Sequence, residues 1–180
     1  MTKNISVAFS LVIFLLLGEF GYAHNIHHSL SLQDSLHSNP NRKDTVAPSE
    51  VIDVITTIIN STNNFDIAVV ANLYTPNAVI ADDEPPYSWN GPTAGVQWVN
   101  AVEQVCKDNH LTKLRADIQP INVFQQSADN VYIVVPVIYS GELPRKSRFS
   151  ADGAFTFVLR QINGKWLVKN QVWMPRKALR

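Results

Sequence analysis

The sequence predicts an α+β domain in which three N-terminal helices pack into a curved antiparallel sheet. Three observations carry that expectation. Apolar residues recur at helical spacing from Val51 to Val105, and after His110 that period gives way to β-branched runs. Between the last two runs stands Asn163-Gly164, the dipeptide that a tight hairpin turn prefers because both positions take positive φ.

Val51, Val54, Ile55 and Ile58 fall at i, i+3, i+4 and i+7, which predicts a first amphipathic helix with Ser49 as its N-cap. The segment Asn60-Ser61-Thr62-Asn63-Asn64 breaks it from a second helix carrying Ile67, Val70, Ala71 and Tyr74. A short apolar strand then runs into the carboxylates Asp82, Asp83 and Glu84. Gly91-Pro92 opens a third helix, with Trp98, Ala101, Val102 and Val105 on its apolar stripe. Four long strands follow, at about Leu111–Gln125, Val131–Ser140, Phe149–Gln161 and Lys165–Met174. In Val131–Tyr139 both alternating faces are apolar, so helices are expected on one side and a second subunit on the other. Pro136 has no N–H to give the ladder, and a bulge or bend is expected there.

Residues 1–23 combine an early lysine, an apolar run from Val7 to Leu17 and small residues up to Ala23, the pattern of a secretory signal peptide. The run is short for a bilayer core of about 30 Å. The expected mature protein is periplasmic or secreted and leaves the membrane after cleavage. Residues 24–47 form a His/Ser/Asn-rich linker that reads as disordered, residues 48–176 the domain, and residues 177–180 a basic tail. Formal net charge is zero, which argues against a nucleic-acid partner. Cys106 is the only cysteine, so no internal disulfide forms and a buried thiol is expected. The histidines of His24–His28 sit in a segment that fixes no geometry, so neither a metal site nor a cofactor is expected. The domain itself holds one histidine, His110, which leaves no Ser-His-Asp or Cys-His pair.

Helices first, a strand ending in a carboxylate, a third helix and a closing meander resemble the nuclear transport factor 2-like superfamily, in particular its SnoaL-like and ketosteroid isomerase-like members. The resemblance spans Pro48 to Arg176 and rests on "NNFDIAVVANLYTPNAVIADD", "WNGPTAGVQWV" and "DGAFTFVLRQINGKWLVKNQVW". It implies a cystatin-like, cone-shaped barrel with a pocket at its wide end, and a homodimer.

In the ketosteroid isomerase-like comparison the general-base aspartate falls on Asp82. A carboxylate takes a proton beside a carbonyl when it is ionised, close to the substrate and shielded from water. The enzyme's tyrosine donor falls near Ile58, and its second aspartate near Gly153 to Phe155, so neither partner is reproduced. SnoaL-like cyclases also use a pocket carboxylate, and here Asp82 or Asp83 fits, with Ile58, Tyr87, Trp89, Tyr139 and Asn170 lining the ligand site. Where many relatives carry histidines on the last strand, this chain has Asn170 and Val172. Against a catalytic site stands a plain surface loop, with Asp82, Asp83 and Glu84 solvated and Pro85-Pro86 stiffening the turn.

Three functions remain open at this point. The leading one is an exported protein that binds a hydrophobic small molecule. The second is an isomerase, cyclase or dehydratase acting on a hydrophobic cyclic carbonyl compound, with Asp82 as base. The third is a dimerisation or assembly module without catalysis.

Overall fold

The computed structural model describes residues 47–121 and 123–176; the expected leader, the linker up to residue 46 and the basic tail lie outside the described residues. Helix α1 (Ser49–Ser61) buries Val51, Ile55 and Ile58, the stripe that the spacing marks. Pro48, not Ser49, occupies its N-cap, and no side chain caps it. Helix α2 (Ile67–Val70) is a single turn, capped by Asp66, whose carboxylate accepts the Ala68 N–H at 3.0 Å. Tyr74 does not extend it but begins strand β1 (Tyr74–Ala81). Strand β2 (Ser88–Asn90) folds back on β1, and helix α3 (Ala94–Asp108) follows. Gly95 is where α3 meets the sheet closely: a Cβ there would lie 2.0 Å from the Tyr74 ring.

Strands β3 (Thr112–Ile118), β4 (Val123–Ser127), β5 (Asn130–Glu142), β6 (Arg148–Ile162) and β7 (Lys165–Pro175) complete the sheet. The expected Leu111–Gln125 run is thus two strands. Pro120 interrupts it, β3 pairs with one half of β5 and β4 with the other, and the Gln119 N–H donates to the Pro136 carbonyl at 2.9 Å between them. No bulge marks Pro136, because the β5–β6 register runs unbroken through Pro136 and Ala154. The β6–β7 turn is the hairpin that Asn163-Gly164 announces, with φ of 51° and 77° at the two positions.

The cone-shaped barrel is not what forms. The seven strands lie in the order β2-β1-β7-β6-β5-β3, with β4 also on β5, and the two ends of that path do not pair. Closure requires hydrogen bonds between the edge strands. Here β2 has only three residues, and the chain crosses from that edge to β3 through α3. Nor is the sheet wholly antiparallel, since β1 runs parallel to β7. The result is an open, mixed sheet with the helices packed on one face.

That face holds the core. Trp98, Phe155, Phe157, Ile55, Ile58, Ile80 and Ile133 are all at most 1% exposed. Burial of side chains this size stabilises by roughly 2 to 3 kcal/mol each before entropy is counted. The opposite face is apolar too but open, with Tyr132 and Met174 exposed and Val134, Ile138, Val158 and Val172 half-buried.

Candidate functional site

At the end of β1 the inward-facing row Ala78, Ile80, Asp82 carries the core face out to a cavity of about 410 Å³. Period-two alternation brings Asp82 there, on the face of Ile80, while the exposed Asp83 stands at the cavity's rim. Helix α3 supplies one wall through Trp98, Ala101, Val102, Val105 and Cys106. The strands supply Tyr139 from β5, Phe155 from β6 and Trp173 from β7. These aromatics pack edge to face or tilted, with Trp98–Phe155 centroids 5.6 Å apart, Phe155–Trp173 at 4.7 Å and Tyr139–Trp173 at 5.6 Å.

Asp82 is held from three sides. The Trp98 Nε1–H donates to Oδ2 at 2.8 Å, while the backbone N–H groups of Asp83 and Glu84 donate to Oδ1 at 2.8 and 3.4 Å. Its own N–H donates to the Tyr87 carbonyl at 3.0 Å, closing the 82–87 loop. Burial pushes the Asp82 pKa up to about 6, against the Trp98 and Glu84 N–H bonds that favour the charged form, and the neighbouring Asp83 adds to the rise. Near neutral pH the group is therefore mostly ionised, and its pKa lies close enough to accept a proton and return it.

Tyr139 is the second polar group of the wall. Its ring is 9% exposed, and its hydroxyl lies 3.4 Å from the buried Thr62 hydroxyl, which donates to the Ile59 carbonyl at 2.7 Å. Burial raises the Tyr139 pKa strongly, and the Asp82 charge adds to this, so the phenol keeps its proton. Asp82, mostly ionised, and Tyr139, protonated, thus both belong to the wall of one largely apolar cavity.

Of the residues expected from the sequence, Asp82, Asp83, Trp89 and Tyr139 line the cavity. Ile58 is 0% exposed in the core of α1 and does not reach it. Tyr87 is 59% exposed and contributes its backbone to the loop, while its side chain stays outside. Asn170, half-buried on β7, takes the opposite face from Gln171 and Trp173 and is likewise outside. Sequence reasoning missed Trp173 and Phe155, and it placed Trp98 in the core without its bond to Asp82. The signal for Trp173 lies in strand parity, two residues beyond Gln171 on the buried face. The backbone N–H of His110 donates to the Lys107 carbonyl at 3.1 Å at the end of α3. Among the described residues no three His, Cys, Asp or Glu side chains gather as a metal site would need.

No family model matches this chain, and no curated protein matches its sequence. Solved structures do match it. A hexachlorocyclohexane dehydrochlorinase of type 3 from Novosphingobium barchaimii is 14% identical, with a TM-score of 0.60 over 71% of this chain and 84% of that one. A ketosteroid isomerase-like protein from Erwinia carotovora is 16% identical, with a TM-score of 0.55 over 71% of this chain and 94% of the other. A nuclear transport factor 2-like superfamily protein from Salmonella enterica is 12% identical, with a TM-score of 0.58 over 71% and 89%. At such identities the likeness is one of fold.

Proposed function

Because this chain has the nuclear transport factor 2-like fold, we propose that it binds a hydrophobic small molecule in the cavity and that Asp82 acts on that molecule as general base. One observation carries the reading: a carboxylate raised to about 6 and fixed by the Trp98 N–H lines a largely apolar cavity whose wall Tyr139 shares. The chemistry that suits this pair is proton removal next to a carbonyl. Asp82 takes the proton from carbon, Tyr139 donates a hydrogen bond to the developing enolate oxygen, and return of the proton to another carbon completes an isomerisation. Asp83, exposed on the rim, modulates Asp82 by its charge. Where the substrate carries a β-hydroxyl, return of that proton from Asp82 to the hydroxyl as its C–O bond breaks releases water and extends the same site to dehydration.

The test is solvent deuterium exchange. Cyclic hydrophobic ketones are incubated in D2O and followed by proton NMR; the wild type should label the carbon beside the carbonyl and Asp82→Asn should not. Binding of these ketones with no exchange by the wild type would leave a binding protein and remove the enzyme. Absence of binding would remove both.

The open apolar sheet face around Tyr132, Val134, Ile138, Val158 and Met174 supports a homodimer formed through it. Light scattering should give twice the chain mass, and Val134→Glu should give the single mass. Export through residues 1–23 belongs to the same proposal. Protein recovered from the exported fraction should begin at or near His24, and one that keeps Met1 overturns it.

A further inference from the structure

The charge along the cavity wall is of one sign. Asp82, Asp83 and Glu84 line it, and among the described residues no lysine, arginine or histidine does. The cations on neighbouring elements are engaged elsewhere. Lys107 on α3 holds Glu103 at 2.7 Å, Lys113 on β3 holds Glu142 at 2.8 Å, and Arg176 holds Asp152 at 2.7 Å. Arg148 alternates with the cavity-lining Phe149 and so lies on the other face of β6. Formal net charge is zero, so the local excess of negative charge is not part of a wider field.

The anionic end of the cavity is also its indole end. The Trp98 Nε1–H donates to Asp82 Oδ2 at 2.8 Å, and Trp89 pairs with Ile80, two residues before Asp82. Both indoles line the cavity and so does that of Trp173, which gathers three of the chain's four tryptophans there. Aromatic rings attract cations through the negative potential over their faces. The last turn of α3 adds to the same sign, because Val105, Cys106 and Asn109 line the cavity and a helix of 15 residues carries negative potential at its C-terminal end. Carboxylates, rings and helix end thus converge on one apolar space from different elements of the fold.

We infer that the ligand is an amphipathic cation, a protonated amine whose apolar body lies among Phe155 and Trp173 and whose charged nitrogen sits at the end formed by Asp83, Glu84 and Trp89. The inference rests on the reading that the cavity binds a hydrophobic small molecule, and it adds the charge and the orientation. Asp83 and Glu84 are exposed and take the nitrogen at the rim, while Asp82, farther in on the row of Ile80, meets the carbon beside it. A cation at that place also favours the ionised form of Asp82, the form that acts as base. The substrate class for the proton transfer is then an amino ketone, and carboxylic acids are turned away by like charge.

Three ligands with the same rings separate the readings in isothermal titration calorimetry at neutral pH: naphthylmethylamine, a cation; naphthylmethanol, uncharged; and naphthoate, an anion. The wild type should bind the amine about tenfold tighter than the alcohol, roughly threefold from the rings and threefold from the exposed carboxylates, and naphthoate more weakly than either. Asp83→Asn/Glu84→Gln should lower the amine's advantage to about threefold and leave the alcohol's affinity unchanged. Sodium chloride raised to about 0.5 M should reduce the same advantage in the unaltered protein, a measurement that needs no variant to fold. Ala101→Trp, which fills the cavity, should abolish binding of amine and alcohol alike.

An amine that binds no tighter than the alcohol overturns the cation and leaves the cavity reading standing. So does an advantage that survives undiminished in salt or in Asp83→Asn/Glu84→Gln, or an equal loss of amine and alcohol in that variant. Failure of the wild type to bind any of the three, or undiminished binding by Ala101→Trp, overturns the cavity reading and the cation with it.

Discussion

Two polar clusters lie on the inner face of this sheet, one at the end of β1 and one a layer below it, and they are built on opposite principles. The upper one contains Asp82, Trp98 and Tyr139 and borders the cavity. The lower one contains Tyr74 and Gln171, both at most 5% exposed, with the Tyr74 hydroxyl donating to Gln171 Oε1 at 2.6 Å. Burial raises the Tyr74 pKa as it raises that of Asp82, but Tyr74 is neutral at any physiological pH and the shift has no consequence there. At the cavity the same burial moves a carboxylate to within a unit of neutrality. Desolvation is a packing effect at one level of the sheet and a tuning device at the other.

Replacing the upper cluster's charge should give the largest effect. Asp82→Asn keeps the shape and an acceptor for the Trp98 N–H but removes the base, and exchange of the substrate proton should fall by about three orders of magnitude, roughly 4 kcal/mol in the barrier. The same substitution should stabilise the fold. The folded pKa of about 6 lies above the reference value of 3.8, so the native state holds a proton that the unfolded chain has lost. Stability contributed by the protonated group is complete below the lower value and lost as pH rises through the upper one. Denaturation of the wild type between pH 4 and pH 7 should thus show a decline of about 2 kcal/mol, allowing for partial exposure, and in Asp82→Asn that decline should disappear.

The lower cluster should respond in stability alone. Tyr74→Phe leaves Gln171, whose Nε2 already lacks a partner, without a partner for Oε1 as well, and should cost about 2 kcal/mol at every pH in denaturant titrations. Tyr74→Phe/Gln171→Leu should recover most of the loss, because replacing both partners leaves no buried group unpaired. A pH-dependent loss in Tyr74→Phe would break the contrast between the clusters.

The smallest effect sharpens the upper cluster from within. Trp98→Phe removes an N–H that favours the Asp82 carboxylate, so Asp82 should titrate above its present value of about 6, by roughly 1 kcal/mol of lost hydrogen bond. Carboxyl-carbon NMR reads this directly. A downward shift would mean that water, admitted where the indole stood, outweighs the lost bond.

Much of the fold was legible because local periodicity carries it. The Val51-Val54-Ile55-Ile58 stripe, the apolar strand before Asp82 and the Asn163-Gly164 turn each depend on a few adjacent residues, and each appears where the spacing places it. Tyr74 shows the limit. It continues the helical spacing of Ile67 and Val70, yet it starts a strand, because pairing with Val168 and contact with Gly95 outweigh the propensity of one short turn. In the site, Asp82 and Tyr139 could be picked out as polar groups bordering apolar runs. Asn170 continues the inward parity of Trp166 and Val168, but an extra residue at Lys169, left unpaired between Val158↔Asn170 and Leu159↔Val168, shifts that parity so that Gln171 takes the core face.

By itself, then, the sequence determined the α+β order of elements, the hairpin that ends the sheet and the carboxylate at the end of β1, since each is written in residues close together along the chain. Only the tertiary structure decided that the sheet stays open, with β1 parallel to β7 and its two edges apart, since strand pairing joins residues nearly a hundred positions distant. It alone decided that the Trp98 indole, sixteen residues on in α3, meets Asp82, and that Tyr139, Phe155 and Trp173 from three strands share one cavity with them. Packing makes those choices, because the desolvation that gives a carboxylate its pKa comes from whatever the fold stacks around it.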